Sequence, residues 1–446
     1  MKLIRSPWLS AITALVIGVS IGIASSVHAE RVETRLPVDD VRMFSQVLER
    51  IKQAYVEDVE DSELIENAIE GMLSGLDPHS DYLTPEDFED LRESTRGEFG
   101  GLGIEISLDE TGFVRVVAPI DDTPAYRAGM QSGDLITQID DTPVKGMSIG
   151  DAVNLMRGRP GTDVRLTVAR EGETQPLEFE ITRDIIQVTS IRNRMIEPGV
   201  GYVRISQFQE RTGRDFVEAM ASLRTENEGA LDGLVLDLRN NPGGVLQASV
   251  DVVDALISQG LIVYTEGRLP NSASEFEANS DDPSEGVSLV VLINGGSASA
   301  SEIVAGAVQD HRRGVIMGTR SFGKGSVQTI LPLNDNHAIK LTTARYFTPN
   351  GRSIQAQGIE PDIIVNQGKL TQENGNPYYS EADLAGHLLN GDEENGSDEN
   401  GASEQADQNE QTEESADEAS NELIDDYQLF QAVTLLKGMR VLNASR

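Results

Sequence analysis

Apolar residues recur every three to four positions near the N-terminus, and acidic residues fill much of the opposite face. This spacing predicts amphipathic helices. The apolar positions are Phe44, Val47, Leu48, Ile51, Tyr55, Leu64, Ala68 and Met72. Further on, Thr84 followed by Pro85 is typical of a helix N-cap with proline in the first turn. The turn before it, Leu76–Asp81, contains His79, which we interpret as structural because it has no obvious partners.

The pattern changes near Gly97, where apolar and polar residues begin to alternate with the period of a β-strand. We therefore expect a β-rich domain over residues 97–186. The predicted strands are Phe113–Val117, Leu135–Ile139, Val164–Ala169 and Leu177–Thr182, and the predicted helix is Ile149–Met156.

From Val188 onward, apolar runs typical of buried strands alternate with helical segments. The predicted strands are Gly201–Ile205, Leu234–Arg239, Val287–Ile293 and Ile339–Tyr346, and the predicted helices are Asp215–Leu223, Ala248–Ile257 and one that begins near Ile303. Buried strands that enter glycine turns and then helices predict a layered α/β domain, which we place at residues 187–368.

The C-terminal region combines an acidic segment with a final helix. Residues 391–426 contain 15 acidic residues and no basic one, so we expect a disordered linker over residues 369–421. Helical spacing of Leu429, Val433, Leu436 and Met439 predicts a helix over Tyr427–Leu442. A helix this short is marginal alone, so we expect it to dock on the N-terminal helices or on a second subunit.

Candidate chemistry lies in Gly295–Glu302, which joins a predicted strand to a predicted helix. Small residues let another backbone approach, and the unpaired N–H groups of a helix N-terminus favour an anion. A serine here could attack a carbonyl carbon while the Ala300 N–H stabilises the oxyanion. Local pattern does not choose among Ser297, Ser299 and Ser301, and the serines could instead only cap the helix.

A lysine motif follows that turn, with Lys324 in Gly323–Gln328. A lysine flanked by glycines can lose water, which lowers its pKa so that the neutral amine can act as a general base. Gln328 could orient this amine through a hydrogen bond. A second oxyanion donor could come from Gly243 or Gly244, in the other glycine turn. Together these residues predict a Ser–Lys peptidase.

Charge and composition restrict the partners and the compartment. The net charge of −38, with seven lysines among 36 basic residues, disfavours nucleic acid and anionic lipid as partners. The absence of cysteine excludes disulfides, thiol catalysis and cysteine-ligated zinc, and we expect no cofactor or metal. Met1–Ala29 has the charged, apolar and small-residue order of a secretory signal. We expect export to the periplasm with cleavage after Ala29, and an uncleaved membrane anchor is the alternative.

Two motifs stand in order within Gly100–Thr182: a Gly-Leu-Gly-Ile turn and the sequence Pro-Ala-x-x-Ala-Gly-x-x-x-Gly-Asp-x-Ile. This segment resembles a PDZ domain. The resemblance implies that a peptide adds as a strand and that its terminal carboxylate is held at Gly101, Leu102, Gly103 and Ile104.

Residues 40–366 resemble the carboxyl-terminal processing proteases, a Ser–Lys family with a PDZ domain inserted before the catalytic core. Their motif Gly-Ser/Thr-Ala-Ser-Ala-Ser-Glu is matched at the serine turn, and their lysine motif is matched at Gly-Lys-Gly-Ser-Val-Gln. The resemblance implies that Ser299 is the nucleophile, Lys324 the base and Gln328 its supporting residue. It also implies that Gly244 is the second oxyanion donor beside Ala300.

The implied fold is multidomain α/β, with a layered, crotonase-like peptidase core, an inserted PDZ domain and flanking terminal helices. The implied division is a signal peptide at 1–29, a helical region at 30–96, a PDZ domain at 97–186, a core at 187–368, a linker at 369–421 and a C-terminal helix at 422–446. The implied activity is that of an exported endopeptidase acting on proteins with free C-termini. A homo-oligomer formed through the terminal helices and an adaptor lipoprotein are further expected partners.

Other interpretations fit the residues less well. Gly318 and Gly323-Lys324 match the opening of a P-loop, but Gly325 replaces the Mg²⁺-binding hydroxyl residue. A Ser–His–Asp hydrolase would have to draw its base from the four histidines after Ala29, which are His79, His311, His337 and His387, and we expect His311 to end a helix instead. An acyl-CoA enzyme is disfavoured by the export signal and the PDZ insertion. A catalytically silent PDZ scaffold is the main alternative, although it retains both the serine and the lysine.

Overall fold

The computed structural model describes residues 37–109, 111–120, 122–269, 272–279, 283–334, 336–369 and 426–444. The predicted signal peptide and almost all of the predicted acidic linker lie outside these residues. Within the described ranges, no helix combines the length and apolar character needed to cross a membrane.

The helices are α1 (Val38–Ala54), α2 (Asp61–Ser74), α3 (Pro85–Arg96), α4 (Pro124–Arg127), α5 (Ile149–Met156), α6 (Thr212–Glu226), α7 (Leu246–Asp254), α8 (Ala300–Asp310) and α9 (Tyr427–Ala444).

The strands are β1 (Asp81–Leu83), β2 (Glu98–Gly101), β3 (Ile104–Leu108), β4 (Val114–Pro119), β5 (Leu135–Ile139), β6 (Thr142–Pro143), β7 (Asp163–Ala169), β8 (Leu177–Thr182), β9 (Asp184–Gln187), β10 (Ile191–Glu197), β11 (Val200–Ile205), β12 (Gly233–Asp237), β13 (Leu261–Gly267), β14 (Ser274–Glu277), β15 (Ser288–Ile293), β16 (Val315–Gly318), β17 (Ser326–Pro332), β18 (Ala338–Phe347) and β19 (Ile363–Ile364).

The chain forms two compact units, Met1–Met72 and Leu73–Arg446. In the first unit, α1 and α2 confirm the predicted helices. The apolar side chains of α1, including Phe44 and Val47, are exposed. An ion pair between Lys52 and Asp61, at 2.6 Å, joins the end of α1 to the start of α2. This unit therefore carries an apolar helical surface.

In the second unit, the β-rich domain is an antiparallel sheet in the order β3-β4-β5-β7-β8, with β6 paired to β5. Its predicted strands and helix are confirmed within one or two residues. Alternate residues such as Val114, Val116 and Ile136 form its buried core. Two antiparallel strands, β2 and β9, carry the chain into and out of this domain side by side.

The α/β core is built on a six-stranded sheet in the order β10-β11-β12-β15-β16-β19, parallel from β11 onward. Side chains alternate between its faces, as the pleat of a strand requires. Leu234 and Leu236 face one core, which includes residues of α6, α7 and α8. Val235 faces the opposite core, which includes residues of α9. Helices on both faces make the layered α/β arrangement that the sequence predicts.

A second sheet contains β1, β18, β13 and β14, with β17 paired to β18. Its strand β1 lies within residues 30–96, the predicted helical region, and it begins at the end of the turn that the sequence predicts over Leu76–Asp81. The strand itself was not predicted. The strand pairs with β18, with Tyr82 opposite Ile339. The buried side chains of Tyr82 and Leu83 account for the strand, since they are anchored within the sheet.

The C-terminal helix packs where the sequence did not predict. Leu429, Val433 and Leu436 of α9 are buried against the core sheet of the same chain. The expectation that this apolar face docks on the N-terminal helices or on a second subunit was therefore wrong. Helix α7 is confirmed, although it ends at Asp254 and not at Ile257. Leu256 and Ile257 continue the apolar spacing but are buried in the segment after the helix.

Candidate active site

Adjacent parallel strands β12 and β15 end at one edge of the core sheet, and the loops that follow them form the site. The two loops are joined by a hydrogen bond from the Ala298 N–H to the Asn241 carbonyl, at 2.9 Å. Loops at the carboxyl ends of parallel strands are the usual place for a ligand site in such a sheet. The two glycine turns of the sequence are thus brought together.

Ser299 lies at the N-cap of α8 with φ +56° and ψ −114°. A positive φ is uncommon for a residue other than glycine and costs about 1–3 kcal/mol, which the surrounding contacts must offset. The Ser299 carbonyl accepts the Glu302 and Ile303 N–H groups at 2.8 and 3.0 Å. Ser299 is partly exposed and lines a cavity of about 420 Å³. The backbone therefore closes the helix end beside an accessible side chain.

The three serines of the turn have different surroundings. The Ser297 hydroxyl donates to the Leu238 carbonyl at 2.8 Å, and the Ser301 hydroxyl donates to the Asn241 carbonyl at 3.0 Å. Both of these serines are fully buried. Ser297 and Ser301 thus fasten the two loops together, and Ser299 is the one of the three that faces the cavity.

The predicted oxyanion donors, Ala300 and Gly244, line the same cavity as Ser299. Ala300 occupies the first turn of α8, where backbone N–H groups lack acceptors within the helix. A Cβ on Gly243 would lie 2.7 Å from the Ser299 Cβ, so only glycine lets this loop approach so closely. The Gly243 N–H donates to Asn241 Oδ1 at 2.9 Å, which leaves Gly244 as the better candidate for the second donor.

Lys324 lies between β16 and β17 and lines the same cavity as Ser299. Burial lowers the pKa of its ammonium, the nearby Lys340 ammonium lowers it further, and the Asp77 carboxylate partly opposes both effects. No hydrogen bond joins the Lys324 amine to the Ser299 hydroxyl in the part of the chain that the structure describes. The site thus places the predicted base and the predicted nucleophile on one cavity, without a hydrogen bond between their side chains in the described residues.

Gln328, on β17, also lines the cavity. Its Nε2 donates to Ser326 Oγ at 2.8 Å and to Thr342 Oγ1 at 3.3 Å. These two bonds occupy both N–H groups of the amide nitrogen. The carbonyl oxygen is therefore the atom suited to accept a bond from Lys324.

Glu302 connects the serine turn to the lysine loop, a role that the sequence analysis missed. Its Oε2 accepts the Ser299 and Lys324 N–H groups at 2.8 and 2.9 Å. Its Oε1 accepts the Ser321 hydroxyl and the Gly323 N–H at 2.6 and 2.7 Å. The side chain is fully buried. Glu302 is the third residue of α8, and the Ser-x-x-Glu spacing of a capping box from Ser299 was the available signal.

The sequence analysis also missed the role of Tyr346 in the site. Its hydroxyl donates to the Lys324 carbonyl, and its side chain is buried beside the nucleophile turn. Burial and the Glu302 carboxylate raise the pKa of this phenol, while a hydrogen bond with Ser299 opposes them. Tyr346 therefore stays protonated and helps to hold both reactive residues. Its place on a predicted strand gave no signal of this role.

The predicted peptide-binding loop borders a separate groove. Gly101, Leu102, Gly103 and Ile104 line a cavity of about 170 Å³ that α5 closes with residues including Met156. Strand β3 pairs with β4 alone in the described sheets, so its other edge lies open beside α5. An open strand edge with an apolar wall can add an extended peptide as a further strand.

Helix α9 is tied to the loop that follows β12. Arg239 binds the Asp237 carboxylate at 2.6 Å and the Asp426 carboxylate at 2.7 Å. Its Nη1 also donates to Gln428 Oε1 at 3.0 Å. The guanidinium is mostly buried, so these partners satisfy a charge that would otherwise be costly.

At the other end of the core, His311 caps α8 as predicted, and its Nε2 lies 2.7 Å from the Leu261 carbonyl.

Three family models match the chain. "Peptidase family S41" matches residues 199–365, "PDZ domain" matches residues 115–170, and "Activating protease CtpB N-terminal domain" matches residues 21–87. The first match contains the serine turn, the lysine loop and the glycine turn that holds Gly243 and Gly244.

Curated proteins extend the similarity over most of the chain. The carboxy-terminal-processing protease of Bartonella bacilliformis is 49% identical over 347 residues, which cover 77% of this chain and 80% of that protein. The carboxyl-terminal-processing protease of Synechocystis sp. is 39% identical over 331 residues, which cover 71% and 76%. A solved photosystem II D1 C-terminal processing protease is 31% identical with a TM-score of 0.43, over 73% of this chain and 92% of that one.

Proposed function

The chain belongs to the carboxy-terminal processing proteases of peptidase family S41, and we propose that it cleaves proteins through an acyl-enzyme formed on Ser299 with Lys324 as the base. One observation carries this mechanism: Ser299 and Lys324 line one cavity, and burial lowers the pKa of the lysine. The relatives confirm the family and fold that the sequence indicates, and the proposed mechanism adds the roles of Ser299 and Lys324.

In the proposed reaction, the neutral Lys324 amine takes the proton of the Ser299 hydroxyl as Oγ bonds to the scissile carbonyl carbon. The oxyanion accepts the Ala300 and Gly244 N–H groups. The C–N bond then breaks, and the Lys324 ammonium gives its proton to the leaving amine. A water molecule attacks the acyl ester with Lys324 again taking a proton, which returns to Ser299 as the new carboxyl end leaves.

The serines of the turn test this assignment. Ser299→Ala should abolish cleavage because it removes the attacking oxygen. Ser297→Ala and Ser301→Ala should keep measurable kcat at a reduced melting temperature, because each loses about 1 kcal/mol from one buried hydrogen bond. Equal loss of kcat in all three variants would refute Ser299 as the nucleophile.

We further propose that the PDZ domain captures the substrate's C-terminus. The open edge of β3, the wall of α5 and the loop Gly101–Ile104 support binding of an extended peptide with a free terminal carboxylate. Family resemblance suggests that this binding also aligns Ser299 with Lys324. Amidating the C-terminus of a peptide substrate should raise KM. An unchanged KM would exclude terminal capture by this domain.

A catalytically silent PDZ scaffold is the alternative function. The two proposals predict different results when the wild-type chain and Ser299→Ala are incubated with a periplasmic extract and the fragments are identified by mass spectrometry. A peptidase yields new C-termini with the wild type alone. A scaffold binds proteins equally in both samples and yields no fragments.

Compartment and assembly are proposed from the sequence. The secretory-type N-terminus supports export to the periplasm, which cell fractionation would test. The exposed apolar side chains of α1 support a homo-oligomer formed through the N-terminal helices, which light scattering would test with Phe44→Glu as the disrupting variant. An adaptor lipoprotein is proposed by family resemblance alone, and co-purification from the periplasm would test it.

A further inference from the structure

The turn before β1 is a sequence motif that the proposed mechanism leaves unused, and it lies against the strand pair β17–β18. The Asp77 carboxylate closes this turn by accepting the His79 and Ser80 N–H groups at 2.8 and 3.0 Å and the Ser80 hydroxyl at 2.8 Å. The turn is fixed to β18 because the Thr342 N–H donates to Ser80 Oγ at 3.1 Å. Although burial opposes its ionisation, the hydrogen bonds it accepts lower the pKa of Asp77.

An ionised carboxylate can only accept, so it sets the direction of the hydrogen bonds that follow. The Thr342 hydroxyl donates its single proton to Asp77 Oδ1 at 3.1 Å. The Thr342 oxygen then has only lone pairs to offer Gln328, which must present its NH2 group at 3.3 Å. Ser326 Oγ accepts the other N–H of that group at 2.8 Å. The amide of Gln328 is therefore held with its nitrogen engaged and its oxygen free.

We propose that Asp77 is a positioning residue of the peptidase site, which acts through Thr342 to hold the Gln328 carbonyl oxygen ready to accept a hydrogen bond from Lys324. This inference rests on the Ser–Lys mechanism proposed above. Gln328, Lys324 and Ser299 line the same cavity, so the amide oxygen and the amine open into one space. A fixed acceptor keeps the amine oriented during proton transfer from Ser299.

Asp77 also acts on Lys324 through its charge, which gives the proposal a second readout. The titratable groups around the lysine are Lys340, Asp77, His79 and Glu302, with Asp81 paired to Lys340 at 3.5 Å. Of these, Lys340 lowers the pKa of Lys324 and Asp77 raises it. Removing the charge of Asp77 therefore favours the neutral amine. The acid limb of the kcat profile should move to lower pH.

Thr342→Val tests the positioning role, because it removes the hydroxyl while nearly conserving volume. We expect kcat to fall about tenfold with KM unchanged, since general-base catalysis depends on orientation. Thr342→Ser keeps the hydroxyl and should restore kcat. Thr343→Val is the matched control on the same strand. The Thr343 hydroxyl bonds the Thr329 hydroxyl at 2.6 Å and does not bond Asp77 or Gln328. This variant should keep the wild-type kcat.

Asp77→Asn tests the charge, because asparagine keeps the acceptor oxygen that closes the turn. It should shift the acid limb of kcat to lower pH. A wild-type kcat in Thr342→Val, an equal loss in Thr342→Ser, or an unmoved acid limb in Asp77→Asn would overturn the proposal. Lys324→Ala is assayed beside them, because activity in that variant would instead refute the Ser–Lys mechanism itself.

Discussion

Replacing Glu302 by glutamine keeps the size of the side chain and removes its charge. In the wild type, one oxygen of the carboxylate accepts the Ser299 and Lys324 N–H groups, and the other accepts the Ser321 hydroxyl and the Gly323 N–H. Glutamine has one oxygen and one NH2 group. Whichever way the amide turns, at least one backbone N–H faces another donor, because only the Ser321 hydroxyl can rotate.

The magnitude follows from those bonds. An unsatisfied buried N–H costs about 1–3 kcal/mol, and each remaining bond loses about 1 kcal/mol when its acceptor is neutral. The free energy of unfolding should therefore fall by about 4 kcal/mol, a large part of the roughly 5–15 kcal/mol that stabilises a domain. At about 2–4 °C per kcal/mol, the melting temperature should drop by roughly 10 °C. Because the same bonds set the spacing of Ser299 and Lys324, kcat should fall about 100-fold.

Calorimetry and peptide hydrolysis measure the two effects together. Glu360→Gln is the matched control, because Glu360 pairs with Arg320 at 3.6 Å with both side chains exposed. Such an exposed pair contributes about 0–1 kcal/mol, so this control should melt within a few degrees of the wild type and keep kcat. A Glu302→Gln enzyme with a wild-type melting temperature and kcat would refute the role of this carboxylate.

Three further predictions follow from the site. Lys324→Arg should be inactive at every pH tested with the fold intact by circular dichroism, because a guanidinium stays protonated; measurable turnover would contradict the base. Gly243→Ala should lower kcat at least about tenfold, because its Cβ would lie 2.7 Å from the Ser299 Cβ; wild-type kinetics would show that the loop can move aside. Asp426→Asn should lower the free energy of unfolding by about 2 kcal/mol, because Arg239 loses a charged partner. Burial opposes ionisation of Asp426, but its bonds to Arg239 hold the pKa of this carboxyl below the ordinary value. The wild type should therefore lose this contribution as pH falls below the ordinary carboxylate pKa of about 3.9, and a variant with the same acid unfolding profile would contradict it.

Local pattern was sufficient for the parts of the site that lie within one turn. Glycine, small residues and the strand-to-helix change located the loop of Ser299, and the glycines around Lys324 located the second loop. These features are encoded by neighbours in sequence, since they set the backbone conformation of each turn. The choice of Ser299 over its neighbours came from family resemblance.

Long-range contacts could not be predicted from local patterns in the sequence. Asp77 and Thr342 are 265 residues apart, and Arg239 and Asp426 are 187 apart, so no local window contains both members of either pair. The position of α9 failed for the same reason, because apolar spacing identifies a buried face without identifying what covers it. Glu302 has ordinary helix-forming character, and its role depends on the lysine loop folding back over it.

The proton affinity of Lys324 is the central claim, and NMR titration of a chain labelled at its lysine side chains measures it directly. The seven lysines of the sequence make assignment tractable, with Lys324→Arg identifying the signal of interest. Exposed lysines titrate near a pKa of about 10.4. We expect the Lys324 signal to titrate at a lower pH, and its midpoint to coincide with the acid limb of the kcat profile. A Lys324 signal that titrates with the other lysines, while kcat is already maximal at neutral pH, would contradict the mechanism.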